Sequence, residues 1–170
     1  MRFTGTLARL CLLATCSFFA AGCNTPPAEN SAVPDIQKWM ADWTTAFQSK
    51  DEAGMAALYA PGLVAYDIVA PLQYAGKDAY MKDWHEFFTS FQGPLTTEFK
   101  DCHISSSGDL AYALCLERLA GTSTKGEKID MWLRVTSIFH KEDGKWLDIH
   151  DHVSVPADMA SGKAVMDLKP

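Results

Sequence analysis

Asp143-Gly144-Lys145-Trp146-Leu147-Asp148-Ile149-His150-Asp151-His152-Val153-Ser154 is the stretch from which the fold is read. Asp143-Gly144 supplies two residues that tolerate a left-handed backbone, so it reads as a tight hairpin turn. Lys145 to Ser154 then follows as a strand. Working back from the turn, Ile129 to Lys141, Leu110 to Ala120 and Thr96 to Ile104 carry the same strand pattern. A Gly/Thr/Lys turn and the Ser105-Ser106-Ser107-Gly108-Asp109 turn separate them. Four successive strands joined by short connections make a meander.

Further back, the apolar spacing becomes helical. Ile36, Trp39, Met40, Trp43 and Phe47 fall on one face between Asp35 and Ser49, with Pro34 ahead of a plausible start. Asp51 to Tyr59 reads as a second short helix stopped by Pro61-Gly62, and Leu63 to Val69 as a short strand. Lys77 to Phe91 sets Tyr80, Trp84, Phe87, Phe88 and Phe91 on one face, a third helix ended by Gly93-Pro94. Three helices and one early strand, then four long antiparallel strands, predict an α+β fold whose strongly bent sheet wraps the helices. Such a cone has an open mouth and an interior pocket.

The amino terminus is of another kind. Arg2 and Arg9 flank a polar start, and Leu10 to Ala21 is an apolar run interrupted only by Thr15 and Ser17, the pattern of a cleavable signal. Ala20-Ala21-Gly22-Cys23 resembles the bacterial lipobox, in which the cysteine is lipidated and becomes the first mature residue. Asn24 after it favours, in the resembling class, the periplasmic face of the outer membrane. Thr25 to Pro34 is rich in Pro, Ala, Ser and Asn and reads as a tether. The expected organisation is a signal peptide over 1–22, a flexible tether over 23–34, one domain over 35–156 and a C-terminal tail over 157–170.

Composition suits a single globular domain, with 48% hydrophobic and 21% charged residues. The net charge is −6, and loss of Arg2 and Arg9 from the 15 basic residues deepens the excess of the 21 acids. Nucleic acid is therefore not an expected partner, because phosphate binding needs clustered Lys and Arg. With Cys23 lipidated and Cys11 and Cys16 removed, Cys102 and Cys115 remain, flanking the Ser105 to Asp109 turn. An oxidising compartment permits them to pair, and a hairpin centred between Gly108 and Asp109 sets them opposite each other. Two buried free thiols are the alternative.

Tyr66-Asp67-Ile68-Val69-Ala70-Pro71-Leu72, Gly76-Lys77-Asp78-Ala79, Arg134-Val135-Thr136 and the Asp143 to Ser154 stretch, in this order of elements, resemble the SnoaL-like group of the nuclear transport factor 2-like superfamily. The resemblance spans roughly Ile36 to Pro156. It implies a cone-shaped fold, a homodimer, and a function anywhere between isomerase, hydrolase and binding module. It also places Asp67 where the ketosteroid isomerases of the superfamily carry their catalytic aspartate, and Trp43 where they carry a tyrosine.

Several residues are candidates for chemistry. Asp67 sits among Val64, Ile68 and Val69, where an inward carboxylate acquires a raised pKa and can act as a base; anchoring the Pro71 to Gly76 loop is the other reading. His150 and His152 are two apart on one strand, so they share a face, expected to include Asp148 and Ser154. The pair lacks the third ligand a catalytic zinc needs, and no cofactor or metal is implied. Arg134 joins the histidines only if a bulge interrupts the last hairpin; inside, it would call for an anion. Trp43, Tyr66, Tyr112 and Trp132, with Tyr59, could line an apolar cavity or serve as core.

Three functional readings follow. The first is a lipid-anchored periplasmic domain with a pocket for a small apolar or carboxylate-bearing molecule. In the second, an isomerase- or hydratase-type enzyme uses Asp67 as base and a histidine as acid. The third is a non-catalytic dimerisation or assembly module.

Overall fold

The computed structural model of the protein describes residues 30–170. The signal peptide, Cys23 and the tether up to Glu29 lie outside the described residues. Asn30 to Ala32, assigned to the tether, are held against the sheet. The Asn30 and Ala32 N–H groups donate to the Ser106 carbonyl and Oγ, both at 3.1 Å.

Three helices come first, α1 (Val33–Ser49), α2 (Glu52–Ala56) and α3 (Lys77–Ser90). Helix α1 buries Ile36, Trp39, Trp43, Ala46 and Phe47, and α3 buries Tyr80, Trp84 and Phe88 at four-residue spacing, so both faces follow helical periodicity. Between α2 and α3 run β1 (Tyr59–Tyr66) and the short β2 (Tyr74–Ala75). The meander is β3 (Phe91–Ser107), β4 (Leu110–Ser123), β5 (Lys128–Glu142) and β6 (Lys145–Ser154). A small hairpin of β7 (Ala157–Asp158) and β8 (Lys163–Ala164) closes the chain.

The sheet order is β2-β1-β6-β5-β4-β3. The sheet is mixed rather than wholly antiparallel, because β1 lies parallel to β6 and all other pairs are antiparallel. Its bends fall at register irregularities. Pro61-Gly62, expected to stop a helix, lies within β1 where the pairing to β6 shifts between Tyr59 and Val64. Gly93-Pro94, expected to end α3, lies within β3 at a shift between Gln92 and Thr96. Another shift at Lys100/His103 includes Asp101 at φ 52°.

The decisive irregularity is on β6. Asp143-Gly144 makes the tight turn, with Glu142 opposite Lys145. Phe139 then faces Asp148 while Ile138 faces His150, so Ile149 is an extra residue on its strand. Side chains alternate along a strand, so one extra residue reverses which of those beyond it point inward. Trp146 and Asp148 point in before the bulge, Asp151 and Val153 after it.

Cys102 and Cys115 are disulfide-bonded with Cα atoms 4.3 Å apart, directly opposite in the register that pairs Ser107 with Leu110. Aromatic rings of α1 and α3 fill the space under the sheet: Trp43 stacks on Phe47 at 5.1 Å and meets Trp84 edge-on at 5.8 Å.

Candidate functional site

Helices and sheet do not close completely. A cavity of about 480 Å³ opens between α3, the loop after β1 and the inner faces of β4, β5 and β6. Its walls are largely apolar, with Trp84, Phe87, Leu119, Met131, Leu133 and Val153 among them. Met166, from the C-terminal tail, forms part of the wall because the hairpin β7–β8 turns the chain back.

Carboxyl groups interrupt these walls. Asp67 follows the end of β1; its Oδ1 accepts from the Ile68 N–H at 2.6 Å and its Oδ2 from the Tyr80 hydroxyl at 3.1 Å. Burial raises its pKa and the nearby Asp83 charge adds to the rise. Asp151 comes from β6, where the bulge turns it inward opposite Ser137, whose hydroxyl donates to it at 3.0 Å. Its row across the sheet includes Ala65 and Ala113, whose small side chains leave room beside the carboxyl. Burial pushes Asp151 up to about 7 against the Ser137 hydrogen bond, with the Asp67 charge contributing. Glu117 sits at an inward position of β4, accepts from the Thr97 hydroxyl at 2.9 Å, and is raised by burial to about 8.

Tyr80 joins two of these acids. Its hydroxyl lies 3.1 Å from Asp67 Oδ2 and 3.5 Å from Asp151 Oδ2. A phenol has one proton, so it can donate to only one carboxyl at a time. The arrangement that satisfies all three groups has Tyr80 donating to an ionised Asp67 and accepting from a protonated Asp151. In that arrangement a proton can pass between the two carboxyls through the phenol. Environments that separate the protonation states of neighbouring carboxyls are those suited to acid–base work.

A second layer lies behind. Asp148 is 0% exposed, accepts from the His150 N–H at 2.9 Å, and leaves its Oδ2 without a partner among the described residues. Burial holds it well above the usual carboxylate range, and the Asp151 charge adds to the rise. Trp43 lines the cavity, but its indole N–H donates to the Tyr59 hydroxyl at 2.9 Å and is not offered to a ligand as expected from the tyrosine it replaces.

The remaining expected site residues lie on the other side of the sheet. Past the bulge at Ile149, His150 and His152 point outward, where both pack against Tyr66 at ring distances of 4.9 and 5.7 Å. His150 Nδ1 pairs with the Val64 carbonyl at 2.7 Å. Asp148, expected to share their face, is on the inner one. Arg134 does join the histidines' face, opposite Ser154, but that face is the outer one and the side chain is exposed. Tyr112, 38% exposed, and Trp132, beneath Lys100, are also outside. A catalytic role for His150 and His152 and a ligand-binding role for Tyr66, Tyr112, Trp132 and Arg134 in this cavity are therefore corrected. The inserted residue Ile149 accounts for the two histidines, whereas Tyr66, Tyr112, Trp132 and Arg134 face outward by the alternation of their own strands. No group of three or more His, Cys, Asp or Glu side chains able to hold a metal occurs among the described residues.

Sequence reasoning missed Asp151, Glu117 and Tyr80. Glu117 left a signal, as the lone acid in the inward series Ala111, Ala113, Cys115, Glu117, Leu119. Tyr80 was assigned to core packing, and Asp151 was hidden between two histidines.

The SnoaL-like domain model matches residues 36–158. The chain belongs to the SnoaL-like domain family. Within the wider fold, this SnoaL-like domain is similar to a nuclear transport factor 2-like protein of unknown function from Pseudomonas putida. Identity is 34%, over 82% of this chain and 96% of that one, with a TM-score of 0.75. At the level of fold it is similar to a ketosteroid isomerase-like protein from Erwinia carotovora, at 20% identity over 74% of this chain and 96% of that one, TM-score 0.64. A provisionally named scytalone dehydratase from Novosphingobium aromaticivorans shares 18% identity over 72% and 82% of the two chains, TM-score 0.66. No protein of curated function matches.

Proposed function

We propose that this SnoaL-like domain takes a small, largely apolar molecule into its cavity and moves protons on it, in the manner of an isomerase or dehydratase. One observation carries the reading: Asp67 and Asp151 reach into one apolar cavity and share a single phenol, Tyr80. In this scheme ionised Asp67 takes a proton from a carbon next to a carbonyl. Protonated Asp151 gives its own to the oxygen on which negative charge develops, or to a departing hydroxyl. Asp67 is then protonated and Asp151 ionised. In an isomerisation Asp67 returns that proton to another carbon of the enol as Asp151 takes its own back from the enol oxygen; in a dehydration the proton on Asp67 moves to Tyr80 as Tyr80 passes its own to Asp151, and both acids are restored.

The isomerase- and dehydratase-named fold relatives are consistent with this reading, although at their identity they bear on the fold alone. The test is turnover of enolisable ketones and β-hydroxy ketones by wild type and Asp67→Asn. A loss of about 100-fold or more is expected for a general base, and indistinguishable rates would remove the proposal.

The domain is further proposed to be exported and lipid-anchored through Cys23, on the strength of the apolar run and Ala20-Ala21-Gly22-Cys23. Cys23→Ser should move the protein from the membrane fraction to the soluble one; unchanged partitioning would exclude the anchor. A homodimer through the outer sheet face is proposed as well, because Leu110, Tyr112 and Leu114 stand exposed together on β4.

A further inference from the structure

Among the described residues, the acids of the cavity have no counter-charge in its lining. Asp83 and Glu86 stand on its α3 side with Asp67 across from them, Glu117 and Asp151 face in from β4 and β6, and no Lys, Arg or His is among the lining residues. Glu117 is 5% exposed, and one of its oxygens is held by Thr97 at 2.9 Å. Beside these acids the wall presents Trp43, Trp84 and Phe87. A buried carboxyl facing an apolar cavity with aromatic walls and an acidic mouth has one ligand charge that suits it.

We propose that the cavity takes an amphiphilic organic cation, an amine or quaternary ammonium on an apolar body. Its charge would lie among Asp67, Asp83 and Glu86, and its body against Leu119, Met131 and Leu133. This deepens the reading of the cavity as a small-molecule site and rests on it. It replaces the carboxylate-bearing ligand, whose intended partner Arg134 lies on the far side of the sheet.

The other charge types fare worse. An anion would enter among five carboxyls with no Lys, Arg or His of the lining to pair with, and a neutral molecule would leave the repulsion among those that are ionised untouched. A cation relieves that repulsion and gains attraction to the ring faces. The repulsion shows in the protonation of the acids. On top of burial, the Asp83 charge raises Asp67, the Glu86 charge raises Asp83, and the Asp67 charge raises both Asp151 and Glu117. Tyr59, Tyr74, Tyr80 and Asp148, the titratable groups facing this cluster from β1, β2, α3 and β6, add no positive charge. A bound cation favours the ionised carboxyls, so its binding releases protons and strengthens as pH rises through about 7, where Asp151 titrates.

The test uses three probes with one apolar body: phenylpropylamine, phenylpropanol and phenylpropanoate, titrated calorimetrically into the purified full-length protein near pH 6 and near pH 8. Near pH 8 the amine is expected to bind about tenfold tighter than the alcohol and the carboxylate more weakly than either. The amine should lose about tenfold on moving to the lower pH. Glu86→Gln, an exposed substitution at the mouth, should weaken the amine about threefold and leave the alcohol unchanged. An alcohol that binds as tightly as the amine at both pH values overturns the cation and leaves the small-molecule site standing. An amine affinity indifferent to both Glu86→Gln and Asp83→Asn overturns it equally. Absence of binding by all three probes removes the small-molecule site and the cation together.

Discussion

At Glu117 the chain accepts a local cost for its cavity, since an inward acid stands among apolar side chains in the middle of β4. That cost depends on pH, and its sign can be worked out. Unfolded carboxyls titrate near about 4, whereas folded Glu117 and Asp151 are raised to about 8 and about 7. Between those limits the native chain keeps protons the unfolded chain has released, so stability is full below the unfolded range and lost as pH rises through the folded values. Each group contributes a decline of about 1.4 kcal/mol per pH unit within its window. Melting temperatures should therefore fall from about pH 5 to about pH 8, and Glu117→Gln should make the fall shallower. A variant with the wild-type slope would mean that Glu117 is not held protonated. Asp67 was readable at this scale because its apolar neighbours in the chain are also its neighbours in space. Tyr80 and Asp151 were not, because the partner that gives each its meaning lies 71 residues away.

At the scale of elements, periodicity placed the helices and the meander close to where they stand, and β6 runs over the expected Lys145 to Ser154. Gly93-Pro94 and Pro61-Gly62 misled in the same way. Both are breakers by local conformation, yet a sheet that must curve around helices accommodates them at irregular points of its ladder. The Cys102–Cys115 bond spans one such region, tying β3 to β4 beside the shift at Lys100/His103. Closing a loop of 13 residues' separation restricts the unfolded chain, and reduction is expected to lower stability by about 2–4 kcal/mol. The comparison is urea unfolding with and without reductant. Coincident midpoints would show that the bond adds nothing.

At the scale of the molecule, the outer face of the sheet is the feature the site does not use. Leu110, Tyr112 and Leu114 are 50%, 38% and 42% exposed, and side chains of this kind grouped on a central strand suit an interface. Two chains per particle are expected in sedimentation, with Leu114→Lys reverting the protein to one chain while leaving its melting temperature nearly unchanged. A wild type that sediments as one chain at all concentrations would dispose of the dimer.

What the sequence determined alone was everything carried by local periodicity: an α+β order of elements, the aromatic faces of α1 and α3, and the turn at Asp143-Gly144, with Asp67 read as either a pocket acid or a loop anchor. Only the tertiary structure decided which side of the sheet is the inside. Alternation along a strand fixes which residues travel together but not which way they face. The facing changes with one extra residue, and that residue is defined by the strand paired beside it. Ile149 is such a residue; because it is unmatched on β5, His150 and His152 join Arg134 on the outer face and Asp151 faces Asp67 across Tyr80.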